Sequence, residues 1–345
     1  MNSNSTSHLE ERVRARLDSL TKPPGSLGRL EEIALRFALI RGEEMPSPAR
    51  KGMFVFCGDH GVVEEGVSRY PQSVTRQMMR NFVEGGAAIN VLCRRLQIRP
   101  TIVDMGVCGG PMPGVLDKKV APATANFARG PAMTREQANC AIEVGKGLAE
   151  DASYEYDMVG LGEMGIGNTS AATAILSVFS GRSPYETAGP GAGLDSQGVR
   201  KKAEVIERAL RLHSPNPMDG LGVLQAVGGF EIGAIAGFLI GASRLRLPVV
   251  LDGFPCCAGA LLAKAIQPDA LATVFYSHMS QEPGHKMMFD LLEAKPYADF
   301  GMRLGEGTGS ALMIGFIDAA VRLYREMATF SEAGVSSSVE SETTR

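Results

Sequence analysis

Residues 160–170, GLGEMGIGNTS, set one carboxylate, Glu163, among glycines just ahead of an Asn-Thr-Ser run. Gly160, Gly162 and Gly165 spell G-x-G-x-x-G, the dinucleotide fingerprint, which also requires a second strand ending in an acid about 20 residues on. There the sequence reads LSVFSGRSPYETAG, whose acid, Glu186, follows Pro184 in a turn-like setting. Residues 162–169 also fit G-x-x-x-x-G-N-T, a P-loop with Asn168 in the lysine position. Without that cation the loop is not equipped for β- and γ-phosphates. It can still cup a single phosphate. Backbone N–H groups of Gly165, Ile166, Gly167, Asn168 and Thr169 can converge, and a helix starting near Asn168 aims its positive end there. A one-phosphate site is the favoured expectation, ahead of a purely structural glycine turn.

A second carboxylate, Glu306, lies in MRLGEGTGSAL (302–312), between Gly305 and Gly307 and just before an apolar helical stretch. Two readings stand. An acid at a helix start is favoured by the helix dipole. A carboxylate flanked by glycines is also accessible, as a general base must be. In TAGPGAGLDSQG (187–198) a Gly-rich turn containing Gly191 precedes Lys201 and Lys202, which are either a solvated helix face or a partner for a phosphate or carboxylate. HMSQEPGH (278–285) offers His278, Glu282 and His285 as metal ligands, but Pro283 and Gly284 break the register that would align them, so no metal is expected. GDHG (58–61) reads as a hydrogen-bonded turn at a strand end, and no nucleophile elbow is present.

These motifs need elements to hold them. Short apolar runs rich in β-branched and aromatic residues fall at 52–57, 99–107, 156–162, 247–253 and 272–277, separated by helical sequence. That alternation predicts an α/β fold, a doubly wound, mainly parallel Rossmann-like sheet, with the ligand site at the carboxyl ends of its strands. Ser7 and Glu10 have capping-box spacing, with Leu9, Val13, Leu17 and Leu20 on one helical face. Pro23, Pro24 and Gly25 end that helix, and another begins near Leu27. These helices and a last one near 309–329 are expected to form a smaller helical region. The expected boundaries are 1–45 for N-terminal helices, 46–305 for the α/β domain, 306–330 for the last helix and 331–345 for a disordered tail.

The chain has 345 residues, 44% hydrophobic and 21% charged, with a formal charge of −3. That is ordinary for a globular protein with a large core and gives no footprint for nucleic acid. Residues 221–242 are the most apolar stretch, but Gln225 and Glu231 interrupt it, so a buried core helix is expected rather than a membrane span. No signal peptide is visible. The cysteines, Cys57, Cys93, Cys108, Cys140, Cys256 and Cys257, lack C-x-x-C spacing and read as reduced thiols of a cytoplasmic protein.

KPPGSLGRLE (22–31), DHGVVEEGVSRYPQSVT (59–75), GLGEMGIGNTS, NPMDGLGVLQAVGGFEI (216–232), LPVVLDGF (247–254), SHMSQEPG (277–284) and MRLGEGTGSAL follow one another in an order that resembles a known family. It is the nicotinate-nucleotide–dimethylbenzimidazole phosphoribosyltransferases of cobalamin biosynthesis. The resemblance implies transfer of a phosphoribosyl group from nicotinate mononucleotide to 5,6-dimethylbenzimidazole, with inversion at C1′ and no cofactor. It implies a cytoplasmic homodimer built on a doubly wound parallel sheet. Glu306 would be the general base and Glu163 a second active-site carboxylate. Gly165, Ile166, Gly167, Asn168, Thr169 and Gly191 would serve phosphate and ribose, joined by Asp252 and by Lys202, with Lys201 as its neighbouring alternative. Tyr70, Ser73, Val74 and Met78, with Ser280, Leu304 and Gly305, would hold the base. Tyr70 and Met78 stand where relatives can carry smaller or polar residues, which leaves base preference open. An oxidoreductase, or a non-catalytic nucleotide-binding protein, is the competing class.

Overall fold

The computed structural model describes residues 3–336. Helices α1 (Ser3–Ser19) and α2 (Arg29–Arg41) precede strand β1 (Lys51–Gly58). Next come α3 (Ser73–Glu84), α4 (Ala88–Leu96), β2 (Arg99–Gly106) and the two-residue β3 (Leu116–Asp117). They are followed by α5 (Arg135–Glu155), β4 (Met158–Met164), α6 (Asn168–Ser180), the single turn α7 (Pro184–Thr187) and α8 (Ser196–His213). α9 (Gly220–Val227), α10 (Phe230–Leu245), β5 (Val249–Leu251), α11 (Phe254–Ile266) and β6 (Val274–Tyr276) continue the chain. Last are β7 (His278–Met279), α12 (His285–Leu292), β8 (Ala298–Asp299), α13 (Thr308–Glu326) and α14 (Phe330–Ala333).

Two compact units divide the chain: Arg50–Ile314 forms one, and the residues before and after it form the other. In the larger unit six parallel strands lie in the order β3-β2-β1-β4-β5-β6. This is the doubly wound arrangement, with its topological switch between β1 and β4. The five apolar runs became its five longer strands. β1 is buried along its whole length and β4 along all but its last residue, as strands covered on both faces must be. Phe54 and Phe56 of β1 pack against Phe238 of α10, with ring centroids 5.2 and 6.2 Å apart.

Residues 221–242 are not one helix. The Gly228-Gly229 pair, poor in helix propensity, separates α9 from α10. Every residue from Phe230 to Ala242 is buried, Glu231 included, and no described helix is long and apolar enough to cross a membrane. The apolar run at 272–277 also divides. β6 ends at Tyr276, and after Ser277 the chain forms β7, which pairs with β8 in a separate two-stranded sheet.

In the smaller unit α1 buries Leu9, Val13, Leu17 and Leu20 as its periodicity predicts. It is already helical at Ser3, so Ser7 is an interior residue and not its cap. No glycine or proline lies between Ser3 and Ser7 to stop the helix from extending. Arg16 donates to the carbonyl oxygens of Tyr324 (3.1 Å) and Arg325 (3.0 Å), which sit in the last turn of α13 where a cation is favoured. The polar tail begins in order, because Thr329 Oγ1 accepts from the Glu332 N–H and caps α14 over Phe330–Ala333. The remainder of the expected disordered tail, from 337, lies outside the described residues.

Candidate active site

Within the larger unit a cavity of about 400 Å³ opens beyond the carboxyl ends of the strands, a volume suited to a small organic ligand. Glu163, Glu306, Gly165, Ile166, Gly167, Asn168, Thr169 and Gly191 line it. So do Tyr70, Val74, Met78, Ser280, Leu304 and Gly305. Ser73, Lys202 and Asp252 do not.

The glycine loop is held from below and from the side. Gly167 caps α6 in the left-handed region, at φ 98°, and the first turn closes on the loop, with the Asn168 and Ser170 N–H groups donating to the Gly165 (3.1 Å) and Gly167 (2.9 Å) carbonyls. The Ile166 N–H donates to Thr75 Oγ1 (3.1 Å), which ties α3 to the loop. Asn168, in the position where a P-loop has lysine, donates through Nδ2 to Glu163 Oε2. It therefore fixes a carboxylate and brings no charge of its own.

Lys202, expected to join the phosphate and ribose contacts, is not on the cavity wall. It is fully buried behind the loop, where Nζ donates to Thr169 Oγ1 (2.8 Å) and to the Gly189 carbonyl (3.3 Å). It staples the two glycine-rich turns together instead of lining the cavity. Burial lowers its pKa to about 8, against the opposing charge of Glu282. Lys201 is exposed. Asp252, expected at the ribose, is likewise off the wall, and its oxygens accept the N–H groups of Gly307 (2.9 Å), Gly309 (2.8 Å) and Ser310 (3.3 Å). Ser73 opens α3 and is exposed, one residue short of the wall formed by Val74.

The two carboxylates meet across a tight backbone contact. The Glu306 N–H donates to the Glu163 carbonyl at 3.2 Å. Gly305, Glu306 and Gly307 all have positive φ, 84°, 65° and 89°, a conformation that costs a glutamate energy and concentrates at functional sites. The turn lies directly on β4. A Cβ at Gly162 would fall 2.6 Å from the Glu306 carbonyl carbon, so no side chain fits between strand and turn. Gly162→Ala is expected to force the turn off the strand, costing about 1–3 kcal/mol by overpacking. Activity would be lost alongside a lower thermal midpoint, which a melt and a turnover assay would read together.

Glu306 is buried at 6% exposure, yet its Oε2 has no hydrogen-bond partner in the protein. Burial raises its pKa, partly offset by the Ile89 N–H at the start of α4. Burial also pushes Glu163 up to about 8, helped by the negative charges of Asp252 and Glu231. Glu163 is thus mainly protonated at neutral pH, whereas the Glu306 carboxylate has an oxygen free to take a proton.

Several lining residues escaped the sequence reading. Arg303 is exposed, lines the cavity and donates through Nη1 to the Gly191 carbonyl at 3.3 Å. Among the described residues it is the one lysine or arginine on the cavity wall. Its place two residues before Gly305 in the quoted motif was the available signal. Glu282 accepts the Gly191 N–H through Oε1 (2.9 Å), and His278 reaches the wall from β7. His285 is engaged on both ring nitrogens, by the Ser280 N–H (2.8 Å) and by Cys257 Sγ (3.2 Å). Among the described residues no group of His, Cys, Asp and Glu is placed to hold a metal. The GDHG turn is internal, with His60 Nε2 2.7 Å from Glu231 Oε1 and both side chains fully buried. The cavity as a whole is polarised. Tyr70, Val74, Met78 and Leu304 contribute largely apolar lining, while glycine backbone and Arg303 contribute polar lining.

A family model described as "Phosphoribosyltransferase" matches residues 3–335. A nicotinate-nucleotide–dimethylbenzimidazole phosphoribosyltransferase from a Geobacter species is 51% identical over 332 residues, 95% of each chain. One so named from Pseudomonas putida is 48% identical, over 94% of this chain and 93% of its own. A crystal structure of the Thermus thermophilus enzyme of that name superposes with a TM-score of 0.89 at 43% identity, covering 98% of this chain and all of the other.

Proposed function

The chain belongs to the nicotinate-nucleotide–dimethylbenzimidazole phosphoribosyltransferase family, and from that premise we propose how its cavity carries the reaction. The phosphoribosyl group of nicotinate mononucleotide passes to 5,6-dimethylbenzimidazole, giving α-ribazole 5′-phosphate and nicotinate for the lower nucleotide loop of cobalamin. One observation carries the assignment of roles: the buried Glu306 carboxylate has an unpartnered oxygen on the wall between the apolar surface and the glycine loop.

The leaving group needs little help. Nicotinate departs from a positively charged pyridinium, so breaking its bond to C1′ neutralises a charge. The attacking benzimidazole needs more. As its nitrogen bonds to C1′ the ring becomes cationic, and its other nitrogen must lose a proton. Glu306 accepts that proton, and its charge stabilises the positive transition state. The base lies against Tyr70, Val74, Met78 and Leu304, with Ser280 and Gly305 at its edges. The phosphate lies against the glycine loop at the start of α6, facing the N–H groups of Gly165, Gly167 and Thr169 together with the Arg303 guanidinium. Attack from the side opposite nicotinate turns a β-glycosidic bond into an α one.

Incubating the protein with both substrates should yield nicotinate and α-ribazole 5′-phosphate by mass spectrometry, with the α anomer identified by NMR. Tight binding of the nucleotide without turnover would instead favour a binding protein. Arg303→Ala is expected to raise the KM for nicotinate mononucleotide about tenfold, equivalent to about 1.4 kcal/mol, with kcat little changed. Steady-state kinetics against each substrate would check it.

We further infer a cytoplasmic homodimer. An apolar groove beside the site, formed by Ala88, Val91, Leu92, Met302, Leu304 and Leu312, supports the dimer, and buried unpaired thiols at Cys57, Cys93, Cys256 and Cys257 suit a reducing compartment. Light scattering on a sizing column would test the assembly.

A further inference from the structure

Glu306 occupies a backbone conformation that its own side chain disfavours, so something else must impose it. Gly307 and Gly305 permit the turn but do not select it, because glycine is equally content on either side of the Ramachandran plot. A side chain just beyond the end of β5 contacts the segment that follows the turn. Asp252 follows β5, is 1% exposed, and presents both carboxylate oxygens to the segment after Glu306. Oδ2 accepts the Gly307 N–H at 2.9 Å, while Oδ1 accepts those of Gly309 at 2.8 Å and Ser310 at 3.3 Å. These N–H groups flank and open α13, and would otherwise be orphaned in a buried site. Ser310 Oγ donates in addition to the Val250 carbonyl on the same strand, which fixes the helix start against β5.

We propose that Asp252 is the positioning residue of the catalytic base, holding the Gly305-Glu306-Gly307 turn in its left-handed form so that the Glu306 carboxylate faces the cavity. It acts through the backbone and does not touch the substrate. His278, whose Nδ1 lies 3.9 Å from Asp252 Oδ1 and accepts or donates a bond with Ser277 Oγ at 3.0 Å, closes the remaining side of the carboxylate. The inference rests on Glu306 being the base, and its test separates the two ideas.

Asp252→Asn preserves shape but replaces one acceptor oxygen with an NH₂ group that cannot accept the backbone N–H facing it. Loss of the preferred turn should lower kcat about 10–100-fold, in line with a small misplacement of a catalytic group. The KM for nicotinate mononucleotide should change less than about threefold, because the glycine loop and Arg303 are untouched. The decisive arm is the double variant. If Asp252 acts only through Glu306, adding Asp252→Asn to Glu306→Gln should cost kcat almost nothing further.

Additive losses in the double variant, or a KM rise matching the kcat loss, would overturn the proposal and return Asp252 to a direct substrate contact. Full kcat in Asp252→Asn would overturn it too. Full kcat in Glu306→Gln would instead defeat the base assignment. Should Asp252→Asn not fold, Asp252→Glu keeps the charge and pushes it one methylene further, and the same kcat-specific loss and the same non-additivity are expected of it.

Discussion

Glu306→Gln lowers kcat by about 10²–10⁴-fold while leaving the affinity for nicotinate mononucleotide nearly unchanged. The substitution keeps the volume, the backbone conformation and one acceptor oxygen, and removes only the ability to take a proton. The nucleotide is held at the other wall of the cavity by backbone N–H groups and Arg303, so binding calorimetry should show a dissociation constant within a few-fold of the parent. Loss of binding along with turnover would mean that Glu306 serves the ground state and is no base. The parent's pH profile gives a second readout. A base works when deprotonated, and burial raises the Glu306 pKa, so kcat/KM should fall on the acid side at a higher pH than the ordinary glutamate value would give. Glu306→Gln should lose that limb.

The second large effect has opposite signs for stability and for activity. In the folded protein Glu163 is raised from 4.5 to about 8. Between those values the native state holds a proton that the unfolded chain has released, so the parent's stability must decline as pH rises through that window. The span corresponds to at most about 5 kcal/mol. An amide in place of the Glu163 carboxyl would be a permanent copy of the protonated form, with the same shape and no charge to bury. Glu163→Gln should therefore match the parent near pH 4.5 and exceed it increasingly up to pH 8, where thermal midpoints should differ by several degrees. Its turnover should nevertheless fall about tenfold or more, because the ionised fraction of Glu163, whose charge opposes the one developing at C1′, has no counterpart in the amide. A variant that is more stable and slower identifies strain kept for function. Equal pH dependence of the two melting curves would show that Glu163 is not the group titrating there.

The sheet was readable because each strand is covered on both faces and so appears as a short apolar run between helices. The loops at the strand ends were readable because their glycines have a mechanical role, admitting a turn against β4 and a helix cap at Gly167. Three kinds of feature were not readable. Glu231 reads as an interruption of the apolar run at 221–242, and its burial depends on His60, a partner 171 positions away. The pairing of β7 with β8 joins two segments of two residues, too short to leave a period. Lys202 and Asp252 have the chemistry of ligands and the positions of braces, and only burial separates these roles. Arg303 shows the converse. An arginine in a loop reads as a solvated charge until the fold brings it to the Gly191 carbonyl.

The two walls of the cavity also differ in how they can change over generations. In the proposed mechanism the surface meeting the phosphate is, apart from Arg303, main chain, which codon substitutions cannot recolour; they can only break it. The surface meeting the base is four side chains, Tyr70, Val74, Met78 and Leu304, two of them at least half exposed. Each is replaceable without disturbing a strand. On this reading a point substitution can reshape the acceptor half of the pocket far more easily than the donor half.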